Sequence, residues 1–294
     1  MPRLAQFSPN AQGIVLVIIS LVTFTLMDAM GKALVAHYPV VQVVWWRNAG
    51  QALLLLLIFR GQFFVRARTR IWQMHVLRAV AQAGAAFFFF LSLTRIGLAE
   101  ATAIMDVNPV LITLGAALFF GERLGPRRIL GVLAALCGSL IIIRPGSDVF
   151  SPYAVLPVLA ALCYTSFALL TRGVGRREDP WTAMIWTGAG AGLILGCALP
   201  SAWVTPAPGH LLLFLGMAVL GTIGQFFMIR AFTVAEASVV APFGYVGLLF
   251  ATLWGFLFFG EMPDLWTGVG ATVIVVAGIY VWRREMIAAG KVTA

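Results

Sequence analysis

The sequence consists almost entirely of long apolar stretches joined by short polar loops. A membrane-spanning helix needs about 20 mostly apolar residues. Ten stretches approach that length: 13–35, 39–59, 72–94, 98–120, 127–143, 153–170, 181–203, 210–230, 237–259 and 264–282. The connections leave no room for a soluble domain. The pattern therefore predicts an all-α polytopic membrane protein with ten transmembrane helices.

The composition excludes an ordinary soluble domain of this size. Of the 294 residues, 61% are hydrophobic and 11% are charged, whereas soluble domains carry about 25% charged residues. The cysteines Cys137, Cys163 and Cys197 all lie within apolar stretches. Their spacing fits neither a disulfide framework nor a zinc site, so no metal is expected. The first stretch is too long for a signal-peptide core and reads as a membrane helix.

The basic residues predict the orientation. With the N-terminus in the cytoplasm, fifteen Lys and Arg side chains fall on the cytoplasmic side and three fall outside. Such a bias is the positive-inside pattern of membrane proteins, so both termini are predicted to be cytoplasmic and no nucleic-acid partner is implied. The inside set is Arg3, Arg60, Arg66, Arg68, Arg70, Arg123, Arg127, Arg128, Arg172, Arg176, Arg177, Arg230, Arg283, Arg284 and Lys291, and the outside set is Lys32, Arg95 and Arg144.

The two halves of the chain repeat each other. "IGLAEATAIMDVNPVLITLGAALFFGE" (96–122) matches "FTVAEASVVAPFGYVGLLFATLWGFLFFGE" (232–261) in its AEA start, its internal proline and its FFGE end. The stretches that begin at Pro39 and Pro180 also align. The chain is thus interpreted as two five-helix units, 1–146 and 147–294. Because five is odd, the second unit enters the membrane from the opposite side, as in the inverted repeats of secondary transporters around a central cavity.

Two such units, each ending in a GE step followed by a glycine-containing helix, resemble the EamA-type, ten-helix branch of the drug/metabolite transporter superfamily. Within that branch the chain is most similar to bacterial amino-acid exporters of the YddG type. The resemblance implies helices around a central cavity, alternating access, and export of small metabolites across the bacterial inner membrane. Neutral or aromatic amino acids are the first substrates it suggests.

Four charged residues fall within predicted membrane helices: Asp28, Arg47, Arg78 and Asp106. Charges at that depth are costly and usually face a cavity or a partner. They can pair with one another as internal ion pairs, or they can contact a zwitterionic substrate, and an aspartate can carry a coupling proton. Arg78 is the weakest candidate, because it lies near its helix end and can snorkel to the interface.

The prolines of the repeat mark the most informative positions. Pro109 follows Asp106 and Asn108, and Pro242 precedes Tyr245. Interrupted helices at corresponding places in inverted halves are the best sequence pointer to a transport site, although these prolines can also merely bend packed helices. Further candidates for cavity-lining residues are Gln82, Tyr164 and Gln225, whose polar groups are unfavourable in contact with lipid. For the amides, hydrogen bonding between helices is an equal alternative.

The sequence lacks a GxxxxGK[ST] loop, so ATP coupling within the chain and any cofactor are not expected. The favoured function is a secondary transporter for small metabolites in the lipid bilayer. An importer, a channel-like facilitator and, least of all, an intramembrane enzyme are the alternatives. The oligomeric state stays open, and a monomer is compatible with the sequence. Glu122 and Glu261 end equivalent helices, where an acidic side chain opposes the helix dipole, so each is expected to find a local partner or cap the next helix.

Overall fold

The computed structural model describes residues 9–120, 126–143, 151–174, 178–234 and 241–290, and these residues form helices joined by turns and short irregular segments. We number the α-helices α1 to α12 in chain order. They span Pro9–Val35, Val40–Phe59, Phe63–Arg66, Trp72–Ser92, Leu98–Met105, Asn108–Phe120, Pro126–Ile143, Val155–Val174, Pro180–Ala198, Pro208–Val234, Val246–Phe259 and Leu265–Gly290. The predicted all-helical class is confirmed for the described part of the chain.

Six of these helices are long and apolar enough to cross a membrane by themselves, namely α1, α2, α4, α8, α9 and α10. The apolar parts of α11 and α12 are shorter. Large apolar side chains cover the outside of the molecule, among them Leu193, Leu212 and Leu249, each more than two thirds exposed. A soluble protein does not expose so many, so this surface suits lipid contact. The full number of ten spans stays a prediction.

The helix predicted over 98–120 is broken in the middle. It forms α5 and α6, with Asp106 and Val107 as a turn between them. The physical cause is Pro109, which has no N–H to donate to the carbonyl of Met105. The amide of Val107 bonds instead to the carbonyl of Ile104 at 3.3 Å, the tighter pattern of a turn. The proline therefore interrupts the helix rather than bending it.

The predicted helix over 237–259 is also irregular at its proline. Ala241–Tyr245 form a 3₁₀-helix that contains Pro242 and leads directly into α11. The preceding residues 235–240 lie outside the described residues. Both proline positions of the repeat thus coincide with a change of helix geometry, at the place where the sequence predicts the transport site.

Helices from early in the chain pack mainly on helices from late in the chain. The largest contacts join α1 with α10, α4 with α8, α2 with α9, and α7 with α12. On α9, Gly188 lies so close to α2 that a Cβ there would meet the backbone nitrogen of Ala52 at 3.1 Å. Glycines spaced four apart on one helix face, here Gly188, Gly192 and Gly196, allow such a close approach of two helices. A buried cluster at the centre includes Met27, Phe90 and Phe214.

Candidate functional site

Opposite charges from α1 and α2 face each other inside the bundle. Asp28 on α1 and Arg47 on α2 interact electrostatically, and Tyr164 on α8 interacts with Arg47. Within the described part of the chain the two charges form no direct ion pair. Both residues are only half-buried, and Tyr164 is 38% exposed. Because charges that face lipid are very unfavourable, this exposure indicates an internal space that the three side chains border.

Arg78 does not snorkel to the surface as its position suggested. It is 2% exposed and lies over the ring of Phe167 at 5.1 Å. Its Nε donates to the hydroxyl of Thr171 at 2.9 Å, and its terminal nitrogens lie 3.1 Å from His75 Nδ1 and 3.5 Å from the Thr187 hydroxyl. Arg78 thus joins α4, α8 and α9. These contacts favour a structural role for Arg78, which holds the three helices together.

Gln225 also bonds to another helix. Its Oε1 accepts a hydrogen bond from Nε2 of Gln51 at 2.8 Å, and the same nitrogen lies 3.3 Å from the carbonyl of Met184. Gln51 therefore ties α2 to α9 and α10, and it is 5% exposed. Sequence reasoning missed Gln51, although an amide in an apolar stretch was the same signal that selected Gln225.

A second cluster of polar side chains lies at the break between α5 and α6. Asp106 Oδ2, Asn108 Oδ1 and the Tyr245 hydroxyl are buried and, among the described residues, have no hydrogen-bond partner. Asp106 and Tyr245 interact electrostatically, which brings the two proline-containing segments together. Buried polar atoms almost always have partners, so this cluster has hydrogen-bonding capacity that the described residues do not use. The backbone of Pro109 and of Pro242 shapes this region, while the contacts of their rings lie outside the described features.

Two further helices supply unused polar atoms. Gln82 Oε1 on α4 and Trp46 Nε1 on α2 are buried without a partner in the described part of the chain. Trp46 packs beside Phe214 with ring centroids 5.3 Å apart, within the central cluster. Gln82 was predicted as a cavity residue. Trp46 was not selected from the sequence, because the sequence cannot show which tryptophan nitrogen lacks a partner.

Glu261 forms an ion pair with a residue near the start of the chain. Its Oε1 forms an ion pair with Lys32 Nζ at the end of α1, and its Oε2 accepts a hydrogen bond from the backbone N–H of Leu98 at 3.0 Å. Lys32 also donates to the carbonyl of Ile96 at 3.2 Å. Glu261 therefore caps α5 and pairs with Lys32, whereas the sequence suggested a local partner or a cap on the next helix. Glu122, its counterpart in the repeat, lies outside the described residues.

A left-handed glycine makes this arrangement possible. Gly260 has φ 66° and ends α11. The N–H of Gly260 bonds to the carbonyl of Phe256 at 3.0 Å, and the N–H of Glu261 bonds to that of Gly255 at 3.1 Å. The bond from Gly260 to Phe256 is that of an αL C-cap, in which the left-handed glycine turns the chain and directs the Glu261 side chain back towards the bundle. The glycine of the FFGE phrase thus positions its glutamate.

Apolar helices with a lipid-type surface, an interior that holds opposite charges, and interrupted helices define a helical membrane transporter. Comparison with protein families gives the group. The EamA-like transporter family matches residues 11–144 and again residues 151–283. The chain belongs to this family, within the drug/metabolite transporter superfamily, and it is a transporter of small metabolites rather than an enzyme.

Named relatives cover almost the whole chain. A riboflavin transporter of Rhizobium johnstonii is 32% identical over 90% of this chain and 89% of its own length. A pseudopaline exporter of Pseudomonas aeruginosa is 32% identical over 93% of this chain and 96% of its own length. An S-adenosylmethionine uptake transporter of Rickettsia prowazekii is 23% identical over 93% of each chain. These names support a small-molecule substrate and a multi-pass membrane protein, and none of them is an amino-acid exporter.

A solved crystal structure shows the same fold. It superimposes with a TM-score of 0.65 over 94% of this chain and 99% of its own chain, at 20% sequence identity. At that identity the likeness concerns the arrangement of the helices. The side chains that differ between such proteins determine what each one binds.

Proposed function

We propose that this protein exports small zwitterionic metabolites, with neutral or aromatic amino acids as the first candidates, from the bacterial cytoplasm by alternating access. The observation that carries the proposal is the pair Asp28 and Arg47. Their opposite charges interact across an accessible interior without forming a direct ion pair in the described part of the chain. A molecule that bears both an ammonium and a carboxylate complements such a pair.

Each charge has a defined role in this proposal. Arg47 binds the carboxylate of the substrate, because a guanidinium matches two carboxylate oxygens. Asp28 binds the ammonium group. Tyr164 and the unpartnered amide oxygen of Gln82 offer further hydrogen bonds to the body of the substrate. Asp106, Asn108 and Tyr245, at the breaks made by Pro109 and Pro242, border the same transport path.

Some predicted site residues take a different place in the proposal. The hydrogen bonds of Arg78 and Gln225 join helices, so we assign both to the framework around the path. The two matches to the family, 11–144 and 151–283, support a division into two five-helix units of ten helices in total. An inverted relation between the units would bring the two interrupted segments together at mid-membrane, which is the basis of alternating access.

The direction of transport rests on the resemblance to exporters. The relatives include both an exporter and an uptake transporter, and their named substrates differ from one another. Export and the amino-acid substrate therefore need a direct test. Purified protein in liposomes provides one, because counterflow distinguishes a carrier from a pore: only a carrier speeds up labelled uptake when unlabelled substrate is inside.

The experiment compares the wild type with Asp28→Asn and Arg47→Gln in counterflow with each of the twenty amino acids. We expect counterflow with at least one of them, and a rise in KM of about 10-fold or more in each variant, since one charge-assisted contact is worth about 1.5–3 kcal/mol. Arg95→Gln is the matched control, because Arg95 is exposed. The absence of counterflow with all twenty in the folded wild type would refute the amino-acid proposal.

A further inference from the structure

The turn between α5 and α6 holds a carboxylate that no described residue neutralises. Asp106 follows the last residue of α5, with φ −66° and ψ 0°, and its own amide bonds back to the carbonyl of Thr102 at 2.9 Å. In the described part of the chain it has no ion-pair partner, and its Oδ2 has no hydrogen bond. A buried carboxylate in this condition is strongly unfavourable while it stays ionised.

The two helix ends beside Asp106 do not supply the missing counter-charge. The C-terminal end of a helix carries partial negative charge and the N-terminal end partial positive charge. Asp106 lies between the C-terminal end of α5 and the N-terminal end of α6, and the N–H that would have satisfied the carbonyl of Met105 is absent because residue 109 is proline. The two partial charges therefore oppose each other, and a full positive charge is still needed to balance an ionised Asp106.

The neighbouring atoms fit a proton better than a metal ion. Among the described residues, the buried side-chain oxygens without partners here are Asp106 Oδ2, Asn108 Oδ1 and the Tyr245 hydroxyl. Hard metal ions take about six or more oxygen ligands, and these three side chains offer fewer. A protonated Asp106 carries an O–H donor, whereas the ionised form can only accept hydrogen bonds. Tyr245 is 8% exposed, and Ile104 and Val107 on either side of the turn are buried, so an uncompensated charge at this place is costly.

No other described ionisable group supplies the positive charge that would balance the Asp106 carboxylate. Tyr245 is the described ionisable group that interacts with Asp106, and a neutral phenol does not balance a carboxylate. The other helices packed on α5 and α6 bring ionisable groups that are engaged elsewhere or exposed. The described ones are Tyr164 next to Arg47, Asp28 next to Arg47, Lys32 on Glu261, and Cys137 and Tyr280 at the surface.

We propose that Asp106 binds the proton that drives this transporter. In the outward-facing state the substrate leaves and a proton from outside converts the Asp106 carboxylate to a carboxylic acid; after the transport path opens to the other side, the acid releases the proton to the cytoplasm and the next substrate binds there. No bond other than the O–H bond forms or breaks. Asp106 is only partly buried as a residue, so a proton can reach its carboxyl group. This inference rests on the proposed export function for its direction, and its proton site stands separately.

Infrared difference spectroscopy on the full-length protein tests the proton site without any substrate. We expect a carbonyl band of a protonated carboxylic acid at neutral pH that disappears in Asp106→Asn and shifts in Tyr245→Phe. Asp179→Asn is the control, because Asp179 lies at the surface and forms an exposed ion pair with Arg66. No such band in the wild type, an unchanged band in folded Asp106→Asn, or a band that NaCl but not KCl removes would each overturn the proposal.

Liposome transport with L-phenylalanine as the probe tests the coupling. With the membrane potential clamped to zero, an interior one pH unit more acidic should give about tenfold accumulation at one proton per substrate. Asp106→Asn should lose this accumulation, and Asp106→Glu, which keeps a carboxyl group, should retain it. Accumulation that persists in folded Asp106→Asn, or that is lost equally in folded Asp106→Glu, would refute the coupling. If the wild type shows no phenylalanine counterflow, the proposed substrate fails for this probe, while the infrared band still decides the proton site.

Discussion

The contact between Glu261 and Lys32 allows a sharp prediction. Glu261 has two separable roles, because one oxygen pairs with Lys32 and the other caps α5 through the N–H of Leu98. Glu261→Gln removes the charge and keeps an oxygen for the cap. Glu261→Ala removes both. The two substitutions therefore measure the ion pair and the cap separately.

The expected magnitude follows from burial. The side chain of Lys32 is 9% exposed and that of Glu261 is 30% exposed. Breaking a fully buried pair costs about 3–5 kcal/mol, while an exposed pair contributes about 0–1 kcal/mol. The partial exposure of Glu261 places this pair between the two, at about 1–3 kcal/mol for Glu261→Gln. Loss of the cap in Glu261→Ala should add about 1 kcal/mol.

The assay is equilibrium unfolding of the purified protein in detergent, as a double-mutant cycle of Glu261→Gln with Lys32→Met. The exposed pair of Arg66 and Asp179, at 3.4 Å with 35% and 49% exposure, serves as the matched control and should couple by less than about 0.5 kcal/mol. We expect the coupling of Glu261 with Lys32 to exceed that of the control clearly. Equal coupling in both cycles would refute the reasoning, because burial would then not determine the energy.

Three further predictions concern other contacts of the bundle. Arg78→Gln should lower the free energy of unfolding by about 3 kcal/mol or more, and Arg78→Lys by less, because the guanidinium donates to groups on three helices. Fluorescence-detected size-exclusion after heating measures the loss of stability. A shift in melting temperature equal to that of the exposed Arg95→Gln would contradict this prediction. Gly188→Ala should cost about 1–3 kcal/mol, since its Cβ would meet α2 at 3.1 Å, whereas Gly209→Ala, in open space, should be neutral. A cysteine placed at Ala67 should be protected from an impermeant thiol reagent in intact cells and one at Ala207 should react; the opposite pattern would reverse the predicted orientation.

Local rules in the sequence predicted the helices and their interruptions. The place of the interruption after Met105 could be predicted from Pro109, because a missing N–H acts on the residue four places earlier, but the sequence left open whether the helix would break or only bend. The close approach at Gly188 was foreseeable for the same reason, since small residues four apart share one face of a helix. Ends of helices differed from the predicted ones by several residues.

Partners far apart in the sequence could not be predicted. Lys32 and Glu261 are separated by 229 positions, and Gln51 and Gln225 by 174. Nothing in either local sequence names the other residue, because the pairing depends on how whole helices meet. Arg78 shows the same limit: its depth in the helix allowed snorkelling, and only the hydroxyls of Thr171 and Thr187 explain why it stays buried.

The exchange of contacts between early and late helices has a consequence for biosynthesis. When the ribosome has completed α1, α2 and α4, their main packing partners α10, α9 and α8 do not yet exist. Until the second half is made, polar side chains such as Gln51 and Arg78 lie in the membrane without the hydrogen-bond partners that the later helices supply. The first half is expected to depend on the insertion machinery or on chaperones until the second half arrives, and to be degraded if expressed alone. Two halves separated between residues 144 and 151 and produced together should find each other and restore transport.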